Sequence, residues 1–242
     1  GHDRSRASGM PMDLQPARTW TFLFTDIEGS TRLWERDRAA MQHALERHDR
    51  LLRQAIEAHQ GRVFKTVGDA FCAIFDDAHS ALSAAADGQR ALFAADWSML
   101  GEAEGLRVRM GLHTGTAVER DGDFFGPAVN RSARIEAAAN GGQLLISAAT
   151  LAELETGEAP FGLSYRDLGE HRLKDLRHAE RLTQVLIEGL PEVTRALRTV
   201  GELDAGDRIL VVDPAAGAGE EVARDGSEML LDRTVEETRA AL

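Results

Sequence analysis

Apolar residues fall in short blocks whose period changes along the chain. Thr19–Asp26 (TWTFLFTD) is a brief aromatic and aliphatic run that reads as a buried strand. Across Asp37–His59 the period becomes helical, with Met41, Leu45, His48, Leu52, Ala55 and Ile56 on one face and Gln60-Gly61 as the stop. Arg62–Val67 and Ala70–Phe75 read as strands joined over Gly68-Asp69. Asp76–Ala95 is an Ala-rich helix expected to turn Ala78, Leu82, Ala85, Leu92 and Phe93 inward. Leu106–His113 alternates as a strand, and Thr114–Phe125 reads as a Gly- and Asp-rich connection. Pro127–Ala139 is a helix with proline in its first turn, stopped by Asn140-Gly141-Gly142. A strand at Gln143–Ser147, a short helix at Ala148–Leu154 and paired strands at Tyr165–Lys174 and Arg181–Ile187 follow.

The order β-α-β-β-α-β, with a small αβ addition, predicts an α+β fold. The expected core is an antiparallel sheet of the ferredoxin-like or palm type, with helices packed on one face. Residues 1–18 are polar, contain Pro11 and Pro16, and read as a tag remnant and disordered leader. Residues 19–188 form the folded domain. Residues 189–242 are an acidic extension of 12 Asp/Glu against six Arg. The extension holds an apolar patch at Arg208–Val212 and a helix-like end at Thr234–Ala241. Its Gly-rich stretch Asp213–Glu220 lacks the Gly-Lys-Ser/Thr ending of a phosphate loop.

Charge and cysteine usage narrow the function classes. A formal net charge of −12 argues against duplex nucleic acid and anionic membranes as partners. No run approaches the ~20 apolar residues of a membrane span. Cys72 is the single cysteine, so no intrachain disulfide is possible, which fits a reducing cytoplasm. Among 28 basic residues only Lys65 and Lys174 are lysines, which marks them as candidates for sites needing a compact point charge.

Three places carry candidate chemistry. Asp26 ends a buried strand, and Gly29, Ser30 and Thr31 follow where backbone N–H groups can approach an anion at a helix start. Asp26 taken alone reads first as a helix cap. Asp69 lies in a hairpin turn, where Gly-Asp is usually turn chemistry. Two converging strand-end carboxylates would instead suit Mg²⁺. Asn130 and Arg134, spaced i, i+4, share a helix face that can be a solvated surface or can meet a phosphoryl group and a ribose. The eight histidines show no metal spacing, Cys72 reads as a small core residue, and Ser30 and Ser132 have no recognisable histidine partner.

The stretches Phe24-Thr-Asp-Ile-Glu-Gly-Ser30, Phe64-Lys-Thr-Val-Gly-Asp-Ala70, Arg109-Met-Gly-Leu-His-Thr-Gly115 and Asp123-Phe-Phe-Gly-Pro-Ala-Val-Asn-Arg-Ser-Ala-Arg134 resemble, in order and spacing, the class III adenylyl and guanylyl cyclase catalytic domain. The resemblance covers about Thr19 to Ile187. It implies that Asp26 and Asp69, with the Ile27 carbonyl, hold two divalent ions, Mg²⁺ or Mn²⁺. Lys65 and Asp123 would select adenine, Asn130 and Arg134 would serve the transition state, and Lys174 would meet the terminal phosphates of ATP. The implied enzyme is an adenylate cyclase working as a homodimer with composite sites. The short connection from Gly115 to Asp123 resembles the short-arm bacterial subgroup. A guanylate cyclase and a non-catalytic nucleotide-sensing dimerisation module are the competing readings. A diguanylate cyclase is disfavoured because the hairpin reads Val-Gly-Asp-Ala.

Overall fold

A computed structural model describes residues 17–101, 105–156 and 161–199. The leader as far as residue 16, and the apolar patch, Gly-rich stretch and helix-like end of the extension, lie outside the described residues. The elements are β1 (Arg18–Ile27), α1 (Ser30–Arg36), α2 (Arg38–Ala58), β2 (Arg62–Val67), β3 (Ala70–Phe75), α3 (Ala78–Ala94), β4 (Val108–Arg120), β5 (Asp123–Phe125), α4 (Pro127–Ala138), β6 (Leu144–Ser147), α5 (Ala148–Leu154), β7 (Leu163–His171) and β8 (Glu180–Ile187). The longer helices start on side-chain caps. Asp37 accepts from Ala40 N at 3.0 Å, and Asp77 accepts from Ser80 N at 2.8 Å.

The sheet runs β2-β3-β1-β4-β6-β8-β7, with β5 folded onto β4. Its first four strands have the split βαβ order expected of a ferredoxin-like core. One pair departs from the all-antiparallel expectation: β4 and β6 are parallel, because α4 carries the chain back across the sheet before β6 begins.

Helices cover both faces rather than one. Alternation along the strands sends Leu23, Val108, Met110 and Leu112 toward α2 and α3, where they meet Met41, Leu52, Ile56, Leu82 and Leu92. Phe22, Phe24, Cys72 and Ile74 point the other way and pack with Phe124 and with Ala128 of α4. Further along α4, Ile135 and Ala138 join Leu145, Leu182 and Leu197. The helix lies very close to β4. A Cβ at Gly111 would sit 2.5 Å from Glu136 N, and one at Gly115 would sit 2.9 Å from the Ala128 Cβ. Glycine at both positions is what lets α4 settle on the strand.

Three local expectations are corrected. Thr114–Phe125 is not a loose connection, since β4 continues to Arg120 and turns into β5 over Asp121-Gly122. Both residues have positive φ, 54° and 81°, as a two-residue hairpin requires. Phe93 is 59% exposed because Leu92 takes the buried position and the next residue is turned ~100° away. Strand β7 stops at His171, which leaves Lys174 in the turn beyond it.

Candidate active site

The antiparallel register sets Asp26 of β1 opposite Arg109 of β4 on the face that α4 covers. Arg109 Nε and Nη2 donate to Asp26 Oδ2 at 2.9 and 2.5 Å. The same Nε lies 2.7 Å from Glu136 Oε1 of α4. Its one hydrogen is already given to Asp26, so this Glu136 oxygen has an ionic neighbour but no donor of its own. Burial pushes the Glu136 carboxyl well above the ordinary carboxylate range. Arg109 opposes that rise and the Asp26 carboxylate adds to it.

Asp69, in the β2–β3 turn, folds back toward the end of β1. Its Oδ2 accepts from Ile27 N at 3.1 Å, and Ser30 also hydrogen-bonds to it. Burial, followed by the neighbouring Asp26 charge, raises the Asp69 carboxyl above its usual value. Asp26 and Asp69 thus converge, although 43 positions separate them in the sequence. Gly29, Ser30 and Thr31 form the bend and first turn of α1 beside them, with Gly29 at φ 70°.

This cluster fits a hard divalent cation. Its donors are oxygens, and Asp26, Asp69 and Glu136 carry more potential negative charge than the single Arg109 offsets. The described residues gather no group of three or more His, Cys, Asp or Glu in metal-ligating geometry. A cation here would therefore take its remaining ligands from a backbone carbonyl, water and substrate.

Lys65 stands on the same face. It pairs across β3 with Cys72, which pairs with Phe24, two residues before Asp26. Its Nζ donates to Asp123 Oδ2 at 3.1 Å, and the contact is about one-third exposed on each side. Phe64 and Phe124 meet edge to face beneath it with ring centroids 4.9 Å apart. Cys72, buried among these groups, has its thiol pushed up to about 12 by burial, as befits a core residue.

Asn130 and Arg134 sit off the side of α4 that carries Ser132 and Glu136, although the Arg134 side chain is only 13% exposed. Each lies two residues from a sheet-facing position, Ser132 or Glu136, and so is rotated ~160° away from it. Asn130 is exposed. Arg134 Nη2 donates to Asp175 Oδ2 at 2.5 Å, in the turn that also presents the exposed Lys174. Within one chain, then, Asp26 lies near enough to Asp69 to raise its pKa, Lys65 meets Asp123, and Arg134 reaches the Lys174 turn. The Asn130–Arg134 face looks away from the carboxylates.

The sequence reading left Arg109, Glu136 and Asp175 without roles. Arg109 had a signal: it is a charge between Val108 and Met110 in an otherwise apolar strand. Glu136 and Asp175 had none, because only the packing of α4 and of the β7–β8 turn brings them to their partners.

The adenylate and guanylate cyclase catalytic domain family matches residues 12–189, and the chain belongs to it. It is 37% identical over 188 residues to an uncharacterized protein of Mycobacterium tuberculosis, with 77% of this chain and 62% of that protein covered. It is 32% identical over 204 residues to the receptor-type adenylate cyclase B of Leishmania donovani, covering 68% of this chain and 15% of that one. An adenylate cyclase structure from Trypanosoma brucei, in its monomeric state, superposes with a TM-score of 0.67 at 29% identity, covering 78% of this chain and 99% of that one. The fold class and family expected from the motifs are thereby borne out. The chain spans under two thirds of the mycobacterial relative's length.

Proposed function

We propose that the chain converts ATP to 3′,5′-cyclic AMP and pyrophosphate at composite sites shared by two copies. The observation that carries the choice of ATP is the Lys65–Asp123 pair at 3.1 Å. An ammonium can donate to adenine N1, and a carboxylate can accept from the N6 amino group. Guanine offers an N1–H and an O6 acceptor at those edges, so Asp123 would repel O6. Once a bound base covers these half-buried groups, the site would reject a base that leaves them unpaired. The relatives named as adenylate cyclases support the same reading.

Asp26 and Asp69, with the Ile27 carbonyl, would hold two divalent cations, Mg²⁺ or Mn²⁺. Bound there, the ions would acidify the ribose 3′-hydroxyl and carry the triphosphate charge. The backbone at Gly29, Ser30 and Thr31 would lie along the phosphates. Arg134 would neutralise charge developing on the α-phosphoryl group, Asn130 would orient the ribose, and Lys174 would meet the terminal phosphates. Arg134 would first have to leave Asp175.

The exposure of Asn130, and the placing of Arg134 on a side of α4 other than the one that meets the carboxylates, support a homodimer. A second copy related by a two-fold axis would bring this face to the partner's carboxylates and form two equivalent sites. Phe125, 43% exposed on the hairpin that carries Asp123, is an apolar surface available to such a contact.

The test offers ATP and GTP separately with Mg²⁺ or Mn²⁺. Cyclic AMP from ATP, lost in Asp26→Ala, supports the reading. Cyclic GMP alone moves the assignment to guanylate cyclase, and no product at dimer-forming concentrations points to a nucleotide-sensing module. Mixing Asp26→Ala with Arg134→Ala chains tests the shared site: activity returns in the mixture if the two residues act in trans.

A further inference from the structure

After β8 the chain does not leave the domain. Residues 190–199 cross it without regular secondary structure, held at several points. Gln184 Nε2 donates to Val193 O at 3.0 Å, and Leu197 is buried against the α4 side of the sheet. Asn140, just past the end of α4, donates from Nδ2 to Ala196 O at 2.9 Å, and Arg198 N donates to Ala138 O, also at 2.9 Å. At its middle, Arg195 Nη2 grips both carboxylate oxygens of Glu28 at 3.0 and 2.9 Å.

Glu28 directly follows Ile27 in the loop that presents Asp26. Its backbone N–H donates to Arg107 O at 2.9 Å, and its carboxylate accepts from Gly141 N at 3.1 Å. A Cβ at Gly141 would come within 2.7 Å of that carboxylate, so the two segments meet in direct contact. One extended segment therefore ties the carboxylate loop at the tip of β1 to the end of the helix that bears Asn130 and Arg134.

We infer that residues 190–199 act as a strap that positions the metal-binding loop, with Arg195 and Glu28 as its positioning residues, and that it links this loop to α4. The inference rests on the cyclase reading for its catalytic consequence alone. In a two-fold dimer the loop and the helix of one chain would serve different composite sites, so one strap would join both. Groups hydrogen-bonded directly to metal ligands typically change metal affinity about 10–100-fold when removed, and Arg195 acts one step further out, through Glu28, so the low end of that range is its upper bound.

The experiment uses the full chain with Arg195→Ala, Arg195→Lys and Glu28→Gln. Hydrogen exchange is read at residues 26–31 and 138–142, and nucleotide conversion is titrated with Mn²⁺. In Arg195→Ala both backbone segments should exchange faster, and half-saturating Mn²⁺ should rise by up to about tenfold. The turnover rate at saturating Mn²⁺ should stay within about twofold. Arg195→Lys should restore much of the metal affinity, and Glu28→Gln should weaken it. Faster exchange confined to the strap, with an unchanged Mn²⁺ requirement, overturns the inference. A drop in turnover with no change in Mn²⁺ half-saturation also overturns it, since that is general loosening of the fold. Hydrogen exchange needs no activity, so a wild-type chain that makes no cyclic nucleotide sinks the cyclase reading and leaves the linkage between loop and helix to be judged separately.

Discussion

Asp26 and Asp69 sit where most polar atoms are already committed, whereas Asn130 and Lys174 lie on a surface open to water. The carboxylate region is built on the centre of the sheet. Arg109, Asp26 and Glu136 are packed between β1, β4 and α4, with side-chain exposures of 9%, 14% and 12%. In the second region Arg134 is itself only 13% exposed, but its partner Asp175 is 63% exposed, and Asn130 and Lys174 are exposed too. The first region is preorganised by the core and strained by its own like charges. The second has rigid backbone support from α4, with Arg134 largely covered and Asn130, Lys174 and Asp175 left at the surface. A site divided in this way places its costly electrostatics where the fold can bear them and leaves its variable contacts at a surface.

The largest expected effect tests the strained half. Asp69→Asn should lower cyclase turnover on the order of 10³-fold, because one of the two proposed carboxylate ligands loses its charge. The same change should leave thermal stability equal or slightly higher, since burial and Asp26 already disfavour the ionised form. A clear loss of melting temperature would show that the Asp69 charge serves the fold.

Next, Arg109→Ala should cost about 4 kcal/mol in denaturant unfolding, because it leaves two buried carboxyl groups without their cation. A loss under about 1 kcal/mol would show that water reaches the cluster, and the contrast between the two regions would fail.

His113 lies between the two halves, beside Gly111 and Gly115 on the α4 side of β4. Burial, then the Arg131 charge, holds its pKa down to about 4, and its Nδ1 lies 2.8 Å from Ser147 Oγ. The unfolded chain would bind the proton near pH 6.5. Stability is therefore fully present above about pH 6.5 and falls as pH drops toward 4, with a total loss of about 3 kcal/mol. His113→Gln should flatten that part of the stability–pH curve; an unchanged slope would assign it to other groups.

The base-reading pair should give a smaller effect. Asp123→Asn can donate as well as accept, so ATP-over-GTP preference should fall about tenfold, or ~1.4 kcal/mol, in kcat/KM ratios. Smallest of all, Arg18→Ala breaks an ion pair with Asp76 whose partners are 58% and 72% exposed. It should change stability by less than about 1 kcal/mol.

Most of the architecture was legible from local pattern. Helical periodicity placed α2 and α3, and a buried apolar run placed β1. The β4–β5 hairpin was missed although Asp121-Gly122 is a two-residue turn signal, because the flanking residues Thr116 to Arg120 are too polar to read as a strand. The assignment of helices to one face failed because periodicity says which side of α4 is apolar but not which side of the sheet receives it.

For the site, residue type and motif spacing determined Asp26, Asp69, Lys65, Asp123, Asn130 and Arg134 as candidates, since each chemistry needs a particular functional group near a strand end or on one helix face. Only the tertiary structure decided that Asp26 is gripped by Arg109, that Arg134 rests on Asp175, and that residues 190–199 lean on Glu28. Those pairings join positions 41 to 167 residues apart. Nothing local encodes them; they follow from strand register, from the close seat that Gly111 and Gly115 give α4, and from the course of the chain after β8.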